Sequence, residues 1–488
     1  MEYPGVYVEE LPSGVRAIEG VPTSTALFIG WAARGPVDRA VELSSFAEYE
    51  RHFGGPDPRA WLGYAVRHFF LNGGDKALVI RIESDGAERA SARVGGLNVQ
   101  ANTSGAWGNG LCIERTETGA TFRLDVREGS REGPVLESFA DLSLAESDLR
   151  FAPAIINGES SLLTGTAVDI AASDAAGAAM LEGGADGQPL GPDDETFVAA
   201  LAPLFESGGA VDQVDLFNLL CEPGLTRADA VATLQAHARA RRAFLIVDCA
   251  DHATVSDFEA GVPLRGADAS HSAFYFPWVM AQDPAQSNAV RAFPPSGCVA
   301  GVYARTDSTR GVWKAPAGVE ARLQDAVGLA VSVTDAENGR LNPRAVNCLR
   351  TMPNYGSIVW GARTLAGDDA AGSEWKYVPV RRVASFIEES LYRGTQWVVF
   401  EPNNEPLWDQ IRLNVGAFMH ALFGQGAFQG QTPREAYFVK CDRETTTQND
   451  IDLGRVNILV GFAPLKPAEF VIVRIQQMAR QPGSDDDA

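Results

Sequence analysis

Three residues of this sequence stand in an order that hydrolytic chemistry uses. Asp248, His271 and Ser296 follow one another along the chain as the acid, base and nucleophile do in one class of serine proteases. In such a triad the histidine takes the serine proton while the carboxylate orients the imidazole. The order alone is weak evidence, because Ser296 follows a proline rather than the helix-opening turn that exposes a nucleophile. An α/β serine hydrolase therefore stays an alternative hypothesis.

A second polar cluster lies at the end of a predicted strand. The apolar run AFLIVDC contains Asp248 near its end and is followed by Asp251 and His252. This is a position where α/β folds often place active sites. They are the best candidates for metal binding or acid/base chemistry. An ordinary strand-to-loop transition has the same composition, and we favour it. None of the six histidines has an H-E-x-x-H or other ligand spacing, so no metal is expected.

Nucleotide chemistry finds little support. A phosphate-binding loop needs a Gly-rich turn that leads to a lysine, and no lysine of this sequence follows a glycine. The Gly-rich tetrapeptide WGNG favours a turn over a nucleotide site. The formal net charge of −22 also argues against general nucleic-acid binding, since that role needs a basic surface that displaces counterions from phosphate. The sequence thus predicts no cofactor and no nucleic-acid partner.

Composition and cysteine usage indicate a soluble globular protein. With 488 residues, 45% of them hydrophobic and 21% charged, two to four domains are expected. The six cysteines lie far apart and mostly in apolar runs, which predicts buried free thiols in a reducing compartment. No secretory signal peptide is recognisable, and the longest uncharged stretch, residues 413–433, is broken by polar residues and glycines. We expect a cytoplasmic origin and no membrane insertion.

The elements that position these residues alternate between strand and helix. STALFIGWA and KALVIRIE are apolar runs of strand length. Between them a short helix is predicted over residues 46–53, with Ser45 as its N-cap and Gly54 at its end, followed by a longer helix in PRAWLGYAVRHFFLNGG. Residues 24–83 are therefore predicted to form a β-α-β unit.

Two further regions differ in composition. Residues 85–190 contain short β-like runs separated by Gly, Ser, Asp and Asn, which predicts a small β-rich insertion. Residues 191–365 return to alternation, with strands expected in VDLFNLL, AFLIVDC, AFYFPW and GSIVWGART and an Ala-rich helix over 226–242. Strands separated by helices predict a largely parallel sheet that is covered on both faces.

The two ends of the chain carry the clearest local patterns. The C-terminal part predicts a helix ended by Gly394, a strand in TQWVVFEP, a helix over residues 407–422, and strands in AYFVKC, RVNILVGFA and EFVIVRIQ. At the other end, YPGVYVEELPSG, residues 3–14, predicts a short strand. A strand must pair with an edge, because an isolated strand leaves its N–H and C=O groups unmatched.

Several phrases together resemble the tail sheath proteins of contractile phages and of phage-derived contractile injection systems. They run in the family's order from residue 3 to residue 477: YPGVYVEE, GAWGNGL, LEGGADG, PPSGCVAGVYARTDSTRGVWKAPAG, LNPRAVNCLR, VWGARTL, YVPVRRVASFIEESLYRGTQWVVFEPNNEPLW and GFAPLKPAEFVIVRIQQ. The resemblance implies a structural subunit, not an enzyme, that stacks as hexameric rings around an inner tube and contracts to drive the tube through a target envelope. A minor sheath paralogue or another sheath-like tail component is the alternative.

The resemblance also implies a mixed α/β fold with a subtilisin-like α/β middle domain that lacks proteolytic activity. With the residue patterns, it divides the chain into a linking arm (1–22), an α/β core (23–84 and 191–368), a β-rich inserted domain (85–190), a C-terminal α+β sheath domain (369–478) and an acidic tail (479–488). The implied partners are further copies of the chain, the inner tube protein, and baseplate and tail terminator proteins. Assembly is expected in the bacterial cytoplasm.

Two sets of residues are expected to make the contacts of such a subunit. The opening strand and the end of the chain are predicted to add to sheets of neighbouring subunits through main-chain hydrogen bonds. The residues predicted for this strand pairing are Val6, Tyr7, Val8, Val456, Ile458, Val460, Phe470, Ile472 and Arg474. Arg381, Arg382 and Arg393 are candidates for contact with acidic groups of the tube. A solvated helix face, with Glu388 and Glu389 as partners, is the open alternative.

Overall fold

The structure is a computed structural model, and it describes residues 17–470 except residue 38, residues 168–176 and residue 265. The predicted opening strand, residues 3–14, lies outside the described residues, and so does most of the last predicted strand, from residue 471 onward. Within the described part of the chain, no helix is long and apolar enough to cross a membrane.

The first β-α-β unit forms as the apolar pattern predicts. Its elements are β1 (Ala26–Trp31), β2 (Val41–Leu43), α1 (Phe46–Phe53), α2 (Leu62–Leu71) and β3 (Ala77–Ile82). β1 and β3 are parallel, and every residue of both strands is buried. Ser45 occupies the N-cap position of α1, and Gly54 ends the helix with a φ of 90° and an N–H bond to the Glu50 carbonyl. The predicted boundaries of α1 are confirmed.

The next segment forms three small antiparallel sheets around an apolar cluster of their own. Its elements are β4 (Ala87–Glu88), β5 (Ser91–Val94), β6 (Leu97–Ala101), β7 (Leu111–Thr118), β8 (Thr121–Glu128), β9 (Val135–Leu142), α3 (Ala152–Glu159), β10 (Leu163–Ala167), β11 (Ala178–Met180) and β12 (Ala185–Asp186). The sheets have the strand orders β11-β7-β8-β9, β10-β6-β5 and β12-β4. The limits of an inserted domain stay a prediction.

The following segment returns to long apolar strands and helices. Its elements are α4 (Glu195–Phe205), β13 (Leu219–Cys221), α5 (Ala228–Ala240), β14 (Phe244–Asp248), β15 (Ser272–Phe276), β16 (Val279–Asp283), β17 (Ala289–Phe293), α6 (Ser296–Arg310), β18 (Ala326–Leu329), α7 (Asp335–Leu341), β19 (Val346–Met352) and β20 (Gly356–Val359). The strand predicted in VDLFNLL begins only at its end, at Leu219. β16, β17 and β18 form a separate three-stranded sheet.

Among the described residues, the large sheet has eight strands in the order β2-β3-β1-β13-β14-β15-β19-β20. The six inner strands are parallel, while β2 and β20 pair antiparallel at the two edges. One apolar cluster packs α1, α2 and α6 against one face, and a second packs α4 and α5 against the other. The inner strands are buried because helices cover both faces. The predicted parallel, doubly covered sheet is confirmed.

The C-terminal region is built on two long helices. Its elements are α8 (Val378–Gly394), α9 (Glu405–Gly424), α10 (Pro433–Ala436), β21 (Tyr437–Lys440), α11 (Gln448–Asp452) and β22 (Leu459–Phe462). The helices pack together, with the rings of Phe386 and Phe418 6.1 Å apart. The strand predicted in TQWVVFEP is wrong, because residues 396–398 form a 3₁₀ turn. The chain has only residues 395–404 in which to reverse between the two helices, so this apolar run cannot extend.

The six cysteines are buried free thiols, as the sequence predicts. Burial raises the pKa of Cys298 and of Cys348 to about 12 and that of Cys441 to about 11. These thiols are therefore protonated and inert near neutral pH.

Candidate functional site

Asp248 and Ser296 are in direct contact, although 48 positions separate them in sequence. Asp248 ends β14 and is fully buried. Its Oδ1 accepts the Ser296 N–H at 2.7 Å, and its Oδ2 accepts the Ser296 hydroxyl at 2.7 Å and the Gly224 N–H at 2.9 Å. Burial raises the pKa of Asp248 to about 6, although these three donors oppose the shift. The contact fastens the start of α6 to the end of β14.

His271 lies toward the other end of the sheet, so the predicted triad does not form. It ends a 3₁₀ turn just before β15, whereas Asp248 lies opposite Tyr275 in the strand register. Four residues of strand, about 13 Å at 3.3 Å per residue, separate the histidine from the level of the carboxylate. Its Nδ1 contacts the Ser270 hydroxyl at 3.2 Å instead. Burial lowers the pKa of His271 to about 4.

Ser296 does open a helix, contrary to the expectation drawn from the preceding proline. It is the first residue of α6, and Pro295 is the N-cap residue. The serine is fully buried and donates its hydroxyl to Asp248. The hydroxyl therefore faces the core, where a substrate has no access.

Asp251 and His252 do not converge with Asp248. Both residues are exposed, and the His252 Nε2 lies 3.4 Å from the Asp251 Oδ2. Asp248 points into the core. Across the part of the chain that the structure describes, no group of three or more His, Cys, Asp or Glu side chains is arranged to hold a metal ion. The geometry favours the ordinary strand-to-loop transition.

One buried acid was not predicted from the sequence. Glu222 directly follows β13 and is 3% exposed, and neither carboxylate oxygen has a hydrogen-bond partner among the described residues. Burial raises the pKa of Glu222 well above its ordinary value. The available sequence signal is a glutamate that directly follows the apolar run LLC.

The crevice beside the carboxyl ends of β1 and β13 is nearly filled. In an open α/β sheet, ligands bind where the connections from two neighbouring strands lead to opposite sides of the sheet. β1 leads to β3 on one side and β13 leads to β14 on the other, so the crevice between β1 and β13 is such a point. Here a cavity of only about 130 Å³ is present. The Arg59 guanidinium lies 5.0 Å from the Trp31 ring, and that of Arg291 lies 4.4 Å from the Trp61 ring. The chain's own side chains thus occupy the usual ligand position.

The first two arginines predicted to contact the tube are buried and paired within the chain. Arg381 is 5% exposed, binds Glu388 at 2.6 Å and stacks its guanidinium 4.1 Å from the Trp375 ring. Arg382 is 4% exposed and binds both carboxylate oxygens of Asp307, at 2.6 and 2.9 Å. The expectation of a solvated helix face is therefore wrong for both, because this part of α8 packs against the core.

The third arginine is more accessible. Arg393 is the last residue but one of α8 and binds Asp215 at 2.8 Å and Glu389 at 2.7 Å. Contact of Arg381 or Arg382 with a tube would require release of a buried guanidinium from its carboxylate. The tube contact stays a prediction, for which Arg393 is the best placed.

The C-terminal sheet has two strands, and its outer edges are open among the described residues. β21 and β22 pair antiparallel over their whole length. Val460 lies in β22, and Val456 and Ile458 lie partly buried in the segment that leads into it. Phe470 is 76% exposed and outside any strand. The other residues predicted for strand pairing lie outside the described residues: Val6, Tyr7, Val8, Ile472 and Arg474.

An ion pair anchors the chain close to its last described residue. Glu469 accepts two hydrogen bonds of 2.7 Å from Arg363, whose side chain is fully buried and also binds Asp369 at 2.9 Å. Although burial opposes the change, the Arg363 guanidinium lowers the pKa of Glu469. The chain is therefore held against the core at Glu469.

Two protein-family models match the chain. The model of the phage tail sheath protein central domain matches residues 214–365, and the model of the phage tail sheath C-terminal domain matches residues 370–478. Together they cover just over half of the 488 residues. The chain belongs to the phage tail sheath family. The family predicted from the sequence is thereby confirmed.

Curated sheath proteins are recognisably similar to this member of the family. The chain is 28% identical to a prophage major tail sheath protein of Pseudomonas aeruginosa (strain UCBPP-PA14) over 263 residues. These aligned residues make up 53% of this chain and 64% of that protein. It is 24% identical to the tail sheath protein of Enterobacteria phage T4 over 199 residues, and these make up 40% of this chain and 28% of that protein. The chain thus matches less than two thirds of the length of these relatives.

Solved sheath structures share the fold of the chain over almost its full length. The sheath complex of an extracellular contractile injection system in its contracted state matches with a TM-score of 0.62 and 24% identity, over 98% of each chain. The contracted helical sheath of the anti-feeding prophage matches with a TM-score of 0.62 and 24% identity, over 98% of this chain and 99% of that one. A sheath tail protein of Listeria innocua matches with a TM-score of 0.63 and 13% identity, over 92% and 96%. The mixed α/β fold is that of sheath proteins.

Proposed function

We propose that this chain is the subunit of a contractile tail sheath, which polymerises as stacked hexameric rings around an inner tube and contracts to drive the tube through a target envelope. The observation that carries the proposal is membership of the sheath family by a chain whose C-terminal sheet has only two strands among the described residues. The proposed partners are further copies of the chain, the inner tube, and baseplate and tail terminator proteins. Assembly in the bacterial cytoplasm is part of the proposal.

Strand addition supplies the links between subunits in this proposal. The opening strand around Val6–Val8 and the last strand, which includes Ile472 and Arg474, pair with the sheet of β21 and β22 in a neighbouring copy. Each main-chain hydrogen bond contributes about 1 kcal/mol net, so a five-residue strand supplies only a few kcal/mol at each junction. Many junctions act together in a polymer, and pairing of main chains persists while side-chain contacts change during contraction.

The finer division of the chain belongs to the same proposal. It comprises a linking arm, a subtilisin-like α/β core without proteolytic activity, a β-rich insertion, a C-terminal sheath domain and an acidic tail, with the limits predicted from the sequence. The burial of Ser296 and its separation from His271 support a structural role for the core. So does the cavity of only about 130 Å³ at the position where an α/β fold would bind a ligand.

Deletion of residues 1–14 tests the function and its mechanism. Negative-stain microscopy of the purified full chain should show rings, tubes or sleeves. The deletion variant should stay a folded, soluble monomer, and deletion of residues 479–488 is the control that should still assemble. Assembly of the first variant would show that the opening strand pairs within its own chain. Labelling of Ser296 in a monomeric wild-type protein by a serine-reactive probe would instead support a hydrolase.

A further inference from the structure

A bulky aromatic side chain stands fully exposed at one end of the C-terminal helix pair. Phe400 lies in the loop between α8 and α9 and has a φ of 69°, which a bulky residue rarely adopts. Val399 beside it is 61% exposed. The loop is well fixed, because the Glu401 N–H binds the preceding turn at 3.1 Å and Asn403 accepts the Trp408 indole N–H at 2.9 Å. Strained, exposed residues held in this way mark functional positions.

A cavity of about 940 Å³ opens at the opposite end of the same helix pair. Tyr377 directly precedes α8 and Gly426 follows α9, and both residues line the cavity. Trp313 and Trp360 supply further aromatic surface. α8 has 17 residues and is therefore about 26 Å long at 1.5 Å per residue, and the cavity and the exposed phenylalanine lie beyond its opposite ends. One helix pair thus carries an aromatic projection at one end and an aromatic-walled cavity at the other.

The two ends also carry opposite charges. Glu401 directly follows the exposed phenylalanine and is itself exposed. Two lysines, Lys314 and Lys466, line the cavity together with Arg310 and Glu469. Glu469 is paired with Arg363, and Arg310 is paired with Glu320. Counting only described residues, neither lysine has a carboxylate within salt-bridge distance. The projection and the cavity therefore match in charge as well as in apolar character.

We propose that Phe400 of one subunit inserts into the aromatic-walled cavity of a neighbouring subunit. The inference rests on the proposed function, because it needs a polymer of identical copies. Two different patches that fit each other make a heterologous contact, which closes into rings or extends into a helix. A buried aromatic anchor with a charged rim is also the usual composition of an energetically dominant contact. Unlike strand addition, this contact depends on side-chain identity.

Disulfide trapping tests the contact directly. In the double variant F400C/W360C the two cysteines of one subunit lie toward opposite ends of α8, a helix about 26 Å long, and cannot bridge, because a disulfide needs Cα atoms within about 7 Å. Across the proposed contact they meet, so oxidised sheath should show a ladder of covalent dimers, trimers and longer oligomers on a non-reducing gel. L149C/W360C is the matched control and should give no ladder, because Leu149 is 96% exposed but lies outside the proposed contact.

The outcomes separate this inference from the proposed function. Assembly of the double variant without a ladder would overturn the insertion of Phe400 while leaving the sheath function intact. Cross-linking of a cysteine at residue 400 to a tube protein would also overturn it, by assigning the projection to a different partner. If the wild-type chain forms no rings or tubes, the proposed function fails and this inference fails with it.

Charge exchange gives a second, independent measurement. E401K and K466E should each raise the protein concentration needed for assembly several-fold, and the double variant should recover most of the loss. F400N should raise that concentration about tenfold or more without unfolding the monomer, because asparagine tolerates the left-handed conformation. L149N is its control and should assemble like the wild type. Additive losses in E401K/K466E would contradict the proposed pairing of these two charges.

Discussion

The large sheet of the core and the two-stranded sheet near the C-terminus use similar residues in opposite ways. Phe274 in β15 is 2% exposed, whereas Phe438 in β21 is 49% exposed and Leu459 in β22 is 52% exposed. The large sheet is covered on both faces and ends at each edge in a short antiparallel strand. A two-stranded sheet by itself is marginally stable. The first sheet is a completed fold, and the second is suited to accept further strands.

This contrast separates folding from assembly. The core buries its apolar strands within one chain, so we expect its stability to be independent of neighbours. The small sheet packs against α9 on one side through a shared apolar cluster but keeps apolar side chains such as Phe438 and Leu459 exposed. Substitutions in the large sheet should therefore unfold the subunit, and substitutions in the small sheet should leave a folded subunit that assembles poorly.

A matched pair of phenylalanine substitutions tests the comparison with the largest expected effect. Phe274→Ala should lower the free energy of unfolding by about 3–5 kcal/mol, because it leaves a cavity in the core. Phe438→Ala should cost less than about 1 kcal/mol in the monomer, since the side chain is half exposed, but should weaken assembly. Urea unfolding at a concentration below assembly gives the first quantity, and sedimentation of the polymer gives the second. Equal losses of monomer stability would contradict the comparison.

The buried ion pair that joins the two regions should show the next largest effect. Arg382 of α8 binds Asp307 of α6, and both side chains are at most 4% exposed. Asp307→Asn should lower the free energy of unfolding by about 3 kcal/mol. This is near the lower end of the range for a broken buried ion pair, because the amide oxygen keeps one hydrogen bond. Asp215→Asn is the control, since it removes the partner of the more exposed Arg393 and should cost less than about 1 kcal/mol. Thermal unfolding of both variants tests whether burial decides the difference.

Local signals explain which parts of the fold were predictable. α1 is bounded by Ser45 and Gly54, and the central strands are unbroken apolar runs, so neighbouring residues alone define them. The run TQWVVFEP misleads because β-branched and aromatic residues favour a strand only where an edge is available. Here Val399 and Phe400 project from a turn instead. An apolar run that fails to form a strand can thus mark an exposed contact surface.

The candidate sites depend on contacts between distant residues, which a single sequence does not reveal. Asp248 and Ser296 lie 48 positions apart, and Arg382 and Asp307 lie 75 apart. The charge pattern of α8 left contact with a tube and a solvated face as alternatives for its arginines, because helical spacing shows nearby carboxylates but not the surface against which the helix packs. Residue types therefore identified the groups, and the tertiary fold decided their roles.

The pH dependence of stability tests the burial of Asp248. Its pKa in the folded chain is about 6, above its ordinary value of 3.8, so the stability it contributes is complete below pH 4 and is lost as the pH rises through 6. The wild type should therefore lose stability between pH 4 and pH 6, whereas Asp248→Asn should not. The free energy of unfolding of the variant, relative to that of the wild type, should rise by up to about 3 kcal/mol over this range, at about 1.36 kcal/mol per pKa unit. Chemical denaturation at several pH values measures this difference. A constant difference would show that the three donors to Asp248 cancel the effect of burial.

A change in ionic strength should have the smallest effect for each single subunit. Its effect on the repulsion between subunits accumulates over the many subunits of a polymer. Each copy carries a formal net charge of −22, so neighbouring copies repel one another, and salt reduces that repulsion as the screening length falls from about 30 Å at 0.01 M to about 8 Å at 0.15 M. Raising the salt concentration should therefore increase the fraction of protein that sediments as polymer or contracts.

A single exposed pair, such as Glu401 with Lys466 of a neighbour, is worth at most about 1 kcal/mol and should not reverse this trend. A smaller sedimenting fraction at high salt would mean that specific charge pairs outweigh the net repulsion. Comparing the wild type with E401K/K466E would then identify the pair responsible.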